Sequence, residues 1–283
     1  MTDSQQPAIV QSTTVAGWPV LWMLTWREII RFFRQRNRVV GAVGQPILFW
    51  LLFGAGMNTM FQLPGQSFSE YYIPGTLVLI LLFTAIFATI SIIEDRNEGF
   101  LQSVLVAPIP RWSMIGGKVV GGTIIAVLQS IVFLLFSLTL GIRLSIVDAA
   151  VLLTFITLTG IGLTCLGVTI AWRLESTQGF HAIMNLLLMP MWLLSGAFFP
   201  VPAPTATSGF VQAGLHWLMR MNPVTYGVAG IRRLMFGEKI DLIASEVWIP
   251  QLATCWLVTI VFCVLIYLGA WRAAGRRIAG DLR

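Results

Sequence analysis

Charged side chains are scarce in this sequence, so the places where they gather are the places to look for chemistry. The densest run is Glu94-Asp95-Arg96-Asn97-Glu98, four charges in five residues, and it continues through Gly99, Phe100 and Leu101 to Ala107-Pro108-Ile109-Pro110-Arg111. Asp95 and Glu98 stand three apart, the spacing of a capping box, which predicts a helix start here. Acidic groups also suit a helix N-terminus. Phe100, Leu101, Val104 and Leu105 then recur at helical spacing and give one apolar stripe. Pro108 and Pro110 end the helix, because each lacks an amide donor and restrains the residue before it. The expected product is a short amphipathic helix at a membrane surface. It reads either as a docking helix for a soluble partner or as a solvated connecting loop.

No other group of residues has the makings of an active site. Gly116-Gly117-Lys118 comes nearest to a phosphate loop, but Trp112 stands where the first glycine is needed and Val119 where Ser or Thr is needed. Leu194-Ser195-Gly196 superficially resembles an ATPase signature, yet it lies in an apolar run. The two histidines, His181 and His216, read as structural, and no Ser-His-Asp order or zinc-protease pattern is present. Cys165, Cys255 and Cys263 all fall inside apolar runs, which predicts buried thiols without metal-ligand spacing. No basic surface interleaved with aromatics suggests a nucleic-acid site.

The elements that must carry the charged run are hydrophobic. Apolar residues make up 57% of the chain and charged residues 11%, with a mean hydropathy of +0.82. That is an all-α integral membrane protein. Residues 1–17 read as a loose tail, and residues 18–38 as one amphipathic helix lying in the interface, its arginines toward headgroups; a targeting presequence is the alternative. Residues 39–271 form a transmembrane domain with spans at about 39–61, 71–93, 112–140, 149–172, 179–199 and 249–270, each close to the roughly 20 residues a bilayer requires. Pro46 is expected to bend the first. Residues 272–283 are a basic tail.

Thirteen of the eighteen Lys and Arg residues fall on one side if the N-terminus is cytoplasmic, leaving Arg143, Arg220, Arg232, Arg233 and Lys239 on the other. The bias puts both termini and the 94–111 segment in the cytoplasm. Between Pro200 and Pro250, two short helices broken at Asn222-Pro223 are expected to dip into the outer leaflet and return, a path tolerated only where protein or water covers the backbone. An ordinary external loop is the alternative. Gln45, Gln129 and Asn185 are uncharged polar groups at membrane depth; each could line a translocation path or make a helix–helix hydrogen bond.

Three segments then bear a resemblance. Asp95-Arg96-Asn97-Glu98-Gly99-Phe100-Leu101 with Ala107-Pro108 and Arg111 resembles the coupling segment of type-2 ABC exporter permeases, the ABC-2 family, although Phe100 stands where Thr is usual. Leu194-Ser195-Gly196-Ala197-Phe198-Phe199-Pro200 resembles the end of that family's fifth span. Met221-Asn222-Pro223-Val224-Thr225-Tyr226 with Arg232-Arg233 resembles its re-entrant motif. The resemblance implies an inner-membrane exporter of a prokaryote, working as a homodimer, or as a heterodimer with a homologue. Two separate soluble ATPase subunits would bind the ATP and Mg, so this chain needs no cofactor of its own. It assigns ATPase coupling to Asp95, Arg96, Glu98, Gly99, Phe100, Leu101, Leu105, Pro108 and Arg111. Asp95 and Glu98 would form the cap and Arg96 would pair at the surface. Ser195, Gly196, Pro200, Asn222, Pro223 and Tyr226 are assigned to the re-entrant gate. The branch it most resembles exports drugs and antibiotics, with lipid-linked glycan exporters second. Two other classes stay open: a membrane-embedded enzyme, which would need ionisable groups converging at one depth, and a scaffold that transports nothing.

Overall fold

A computed structural model describes residues 16–58, 67–201, 209–243 and 247–275. Most of the 1–17 and 272–283 tails lies outside these residues. The described chain is helical: α1 (Gly17–Arg34), α2 (Arg36–Met57), α3 (Phe68–Thr89), α4 (Ser91–Asn97), α5 (Phe100–Val106), α6 (Arg111–Leu138), α7 (Ile146–Ala171), α8 (Thr177–Trp192), α9 (Phe210–Met221), α10 (Pro223–Ile243) and α11 (Leu252–Gly275), with a π-helical turn at Leu193–Ala197. Six stretches are long and apolar enough to cross a membrane: Arg36–Met57, Phe68–Asn97, Arg111–Leu138, Ile146–Ala171, Thr177–Ala197 and Leu252–Ala274.

Helix α3 is the axis of the bundle. Its sequence is apolar on every face, which marks a helix enclosed by others, and nearly every residue from Tyr71 to Ala85 is fully buried. Helices α2, α6, α7, α8 and α10 pack around it. It runs on with little interruption into α4, and the combined rod of 30 residues is about 45 Å long at 1.5 Å per residue. A hydrocarbon core of about 30 Å cannot contain that length, so part of the rod extends past it. Glu70 lies in the rod's first turn, whereas Glu94, Asp95 and Arg96 cluster in α4, so the α4 end is the more strongly charged and emerges.

Three expectations need correction. The amphipathic stretch is not one helix over 18–38: it breaks at Gln35 (φ −93°, ψ 77°), and Arg36 and Arg38 belong to the first span. The 94–111 segment is not one helix either. Glu94, Asp95 and Arg96 lie in the last turn of α4, and the chain then turns through Gly99 (φ +76°) before α5 begins. Asp95 and Glu98 therefore cap nothing, and no side chain caps α5. The elbow needs a left-handed residue, which glycine adopts without the Cβ clash other residues meet. Helix α5 ends at Val106, ahead of Pro108 and Pro110 as expected, and Pro110, extended at φ −70° and ψ 134°, also sets the entry to α6. Pro46 lies inside α2, which is continuous across it.

Candidate functional site: an ionic junction beneath the elbow

The charges at the α4 end converge on one buried junction. Helix α1 reaches it because Gly116, Gly117 and Gly121 of α6 let the two backbones come close. A Cβ on Gly117 would lie 2.7 Å from the Cβ of Leu24 and 3.1 Å from the carbonyl oxygen of Leu21. Thr25 donates to the Gly117 carbonyl at 3.3 Å. The glycines of the failed phosphate loop are thus helix-packing residues, the small-residue contact common in membranes.

This contact brings Glu28 of α1 against Lys118 of α6. Lys118 Nζ donates to Glu28 Oε1 at 2.6 Å and to Ser91 Oγ at 3.0 Å, and it also pairs with Asp95. Ser91 donates to the other Glu28 oxygen at 2.7 Å. Arg27 grips Asp95 with both guanidinium arms, at 2.7 and 3.1 Å, the bidentate fork that makes such pairs strong. Arg31 reaches Asp95, Glu94 (3.0 Å) and Glu98 (3.2 Å), and Arg38 pairs with Glu94. Four carboxylates and four cations therefore meet. Glu28, Asp95 and Lys118 are almost wholly enclosed, while Glu98 is 60% exposed at its rim. Burial disfavours the charge on Arg27, but its hydrogen bond and attraction to Asp95 outweigh that and raise its pKa above the ordinary value.

These pairs correct two assignments. Arg27, Arg31 and Arg38 turn to the carboxylates of α4 and the elbow, not to headgroups. Arg96 is buried, not surface-paired: it donates to the carbonyls of Trp172 (2.9 Å) and Leu174 (2.8 Å), capping the C-terminal end of α7. Helix α4 is thus tied to α1 and α6 by Asp95 and to α7 by Arg96. Below it, Leu101 is buried, and Val104 and Leu105 are half-buried against the core. Phe100 lies under the Arg27 guanidinium at 3.7 Å. Glu98, Val106, Pro108 and Arg111 face outward.

At the opposite end of the bundle the second set of predicted residues comes together. Gly196, at φ +76° in the π turn, offers its carbonyl to Tyr71 OH and to Arg232 Nη2, both at 2.9 Å. The Arg232 guanidinium lies 4.0 Å over the Tyr71 ring. Ser195 donates to the Trp192 carbonyl. Asn222 caps α10 through Oδ1 on Val224 N (3.1 Å) and donates from Nδ2 to the Met191 carbonyl. Pro223 opens α10 where its missing amide costs nothing. Thr225 and Tyr226 close on the last turn of α9, at Met219 O (2.6 Å) and Arg220 O (2.9 Å). The Asn-Pro-Val-Thr-Tyr run is a helix–turn–helix clasp keyed to the π turn. Pro200 is half-buried beside it.

The three polar residues of the apolar spans part company. Gln129 is buried and accepts from Thr84, joining α6 to α3. Gln45 is half-buried on α2, and Asn185 is exposed on α8.

Fold and junction together define a polytopic helical membrane protein with a charged elbow wired into several of its spans. The chain belongs to the ABC-2 type transporter family, whose model matches residues 19–236. It is 26% identical over 219 residues to a putative transport permease, ycf38, of Cyanophora paradoxa, covering 76% of this chain and 73% of that one. It is 24% identical over 258 residues to the inner membrane transport permease YadH of Escherichia coli K12, covering 90% and 94%. Nodulation protein J of Rhizobium leguminosarum bv. trifolii is 24% identical over 242 residues, covering 83% and 88%. Permeases of this family reside in membranes and work with an ATPase subunit.

Glu28, Ser91 and Lys118 were missed from the sequence. A signal existed: Glu28 is the one acid on a basic helix, and Lys118 the one charge in the apolar run from Trp112 to Leu138. An acid among cations and a cation inside an apolar run invite pairing.

Proposed function

We propose that the chain is the permease subunit of an ATP-driven exporter, with both termini and the α4–α5 elbow on the cytoplasmic side. Two soluble ATPase subunits engage the outward surface of the elbow on a pair of permeases. The observation that carries this reading is the buried junction joining α1, α4 and α6. A force applied at α5 reaches the spans through fixed ion pairs and packed side chains, not through a slack loop. The cargo class that fits is amphipathic or hydrophobic and drug-like, because the spans present few ionisable groups to a charged solute.

The test uses the exposed residues of the elbow. Glu98→Arg with Val106→Glu should leave membrane insertion and thermal midpoint unchanged, since exposed ion pairs contribute about 0–1 kcal/mol. The same pair should abolish co-purification with the ATPase and ATP-dependent uptake into inverted vesicles. Full transport by this variant would rule out the elbow as the ATPase contact.

A further inference from the structure

A second charged feature lies at the opposite end, away from the elbow. Between the start of α3, the α6–α7 turn and α10 opens a cleft of about 560 Å³. Its rim carries Glu70, Arg143, Asp148 and Arg233, and its apolar floor includes Met235 and Phe236. Arg143 is exposed and has no hydrogen-bond or ion-pair partner among the described residues. Arg233 spends Nε and Nη2 on the carbonyls of Pro250 (2.6 Å) and Ile249 (3.0 Å), which leaves Nη1 uncommitted. Asp148 holds the Ser145 hydroxyl on Oδ2 at 2.7 Å, which leaves Oδ1.

We infer that this cleft binds the headgroup of a zwitterionic phospholipid bearing a primary ammonium, a phosphatidylethanolamine. Arg143 and the remaining Nη1 of Arg233 offer positive donors and Oδ1 of Asp148 offers a negative acceptor, so the cleft complements a ligand carrying both charges. Arg143 takes the phosphate through charge-assisted hydrogen bonds, and the Asp148 carboxylate takes the ammonium. A choline headgroup has no N–H to donate and is held by aromatic cages, whereas among the described residues Phe236 is the one aromatic lining the cleft. A lipid fits better than a soluble zwitterion because the cleft sits where α6 ends and α7 begins. There Phe136, Leu138, Ile146 and Val147 are exposed, an apolar surface suited to acyl chains.

The experiment is native mass spectrometry of the full chain, purified in detergent and equilibrated with phosphatidylethanolamine, phosphatidylcholine and phosphatidylglycerol of matched acyl chains. Phosphatidylethanolamine should be retained over the other two. Arg143→Gln should weaken that retention roughly tenfold, the effect of losing one hydrogen bond to a charged group, and Arg143→Lys should keep most of it. Asp148→Asn, which preserves the Ser145 contact, should weaken it similarly, so a folding defect in one variant leaves the other to decide. Lipid-free melting of each variant checks that its fold is intact. Equal retention of phosphatidylcholine, or a preference for phosphatidylglycerol, overturns the inference. So does displacement of the lipid by soluble glycerophosphoethanolamine, which would mark a solute site.

Discussion

Replacing Lys118 by methionine is the sharpest test of the junction. Methionine keeps a similar length and apolar stem but removes the one cation that touches Glu28, Ser91 and Asp95 together. The four-against-four balance becomes one negative charge in excess. Asp95 keeps both Arg27 and Arg31, so it stays compensated. Glu28 is left with a single Arg27 contact at 3.1 Å and the Ser91 hydroxyl. Removing one partner of a buried pair typically costs about 3–5 kcal/mol, because the other charge stays out of water without compensation. For a chain of this size that corresponds to a fall of roughly 6–20 °C in thermal midpoint.

Glu28→Gln alone should cost less, since Lys118 retains Asp95 and Ser91 as acceptors. The double change Lys118→Met with Glu28→Gln restores neutrality and should recover part of the loss, with a coupling of about 0.5–3 kcal/mol. Fluorescence-monitored melting in detergent and in nanodiscs reads all three variants. ATP-driven uptake measured alongside separates stability from coupling: the double variant should be folded yet transport poorly, because α1 and α6 are no longer joined by charge. If Lys118→Met melts with the native chain, or if the two single effects simply add, Glu28 and Lys118 are not a buried pair and the reasoning fails.

Asp95→Arg would put a fifth cation where three already converge, so we expect no folded protein by size-exclusion chromatography, in contrast to changes at exposed Glu98. Gly117→Ala sets a Cβ 2.7 Å from Leu24 Cβ; overpacking of this kind costs about 1–3 kcal/mol, read as a lowered midpoint that a second change, Leu24→Ala, should partly relieve. Gly196→Ala forces a left-handed conformation on a residue with a Cβ, at about 1–2 kcal/mol, and brings that Cβ 3.0 Å from Val201. It should loosen the clasp at Tyr71 and Arg232, seen as faster amide exchange across the π turn, while the α4 end stays protected.

The spans were legible because hydropathy alone specifies them: each run is apolar over the length a bilayer requires, and the helix ends fall within a few residues of the expected limits. Pro110, Pro223 and Asn222 were legible too, since their effect on the backbone is local. What was not legible was the direction in which Asp95 and Glu98 act. Their spacing matches a capping box, but that motif presumes that a helix begins there, and here one ends. The sequence offers no local mark of this, because α3 runs into α4 with no residue that stops it before Gly99. The deciding contacts come from Arg27, Glu28, Arg31 and Lys118, at most 68 residues away in chain order and brought in by helix packing.

The arrangement also explains why charges are placed so deep. A hydrophobic seam between α1, α4 and α6 would be at least as stable, since well-packed apolar residues often equal or exceed a buried ionic set. Packing between apolar helices in lipid has little directional preference, however, and α1 could slide along the glycines of α6. Fixed pairs of opposite charge admit one register: Glu28 must meet Lys118, and Asp95 must meet Arg27 and Lys118 together. A displacement of α1 by one helical turn, about 5.4 Å, would strand several charges at once. The junction therefore makes α1, α4 and α6 move as one body, and Arg96 extends that body to the end of α7. The Gly99 elbow is the remaining backbone freedom between this body and α5, so glycine there sets the angle at which α5 leaves it while the charges behind hold still.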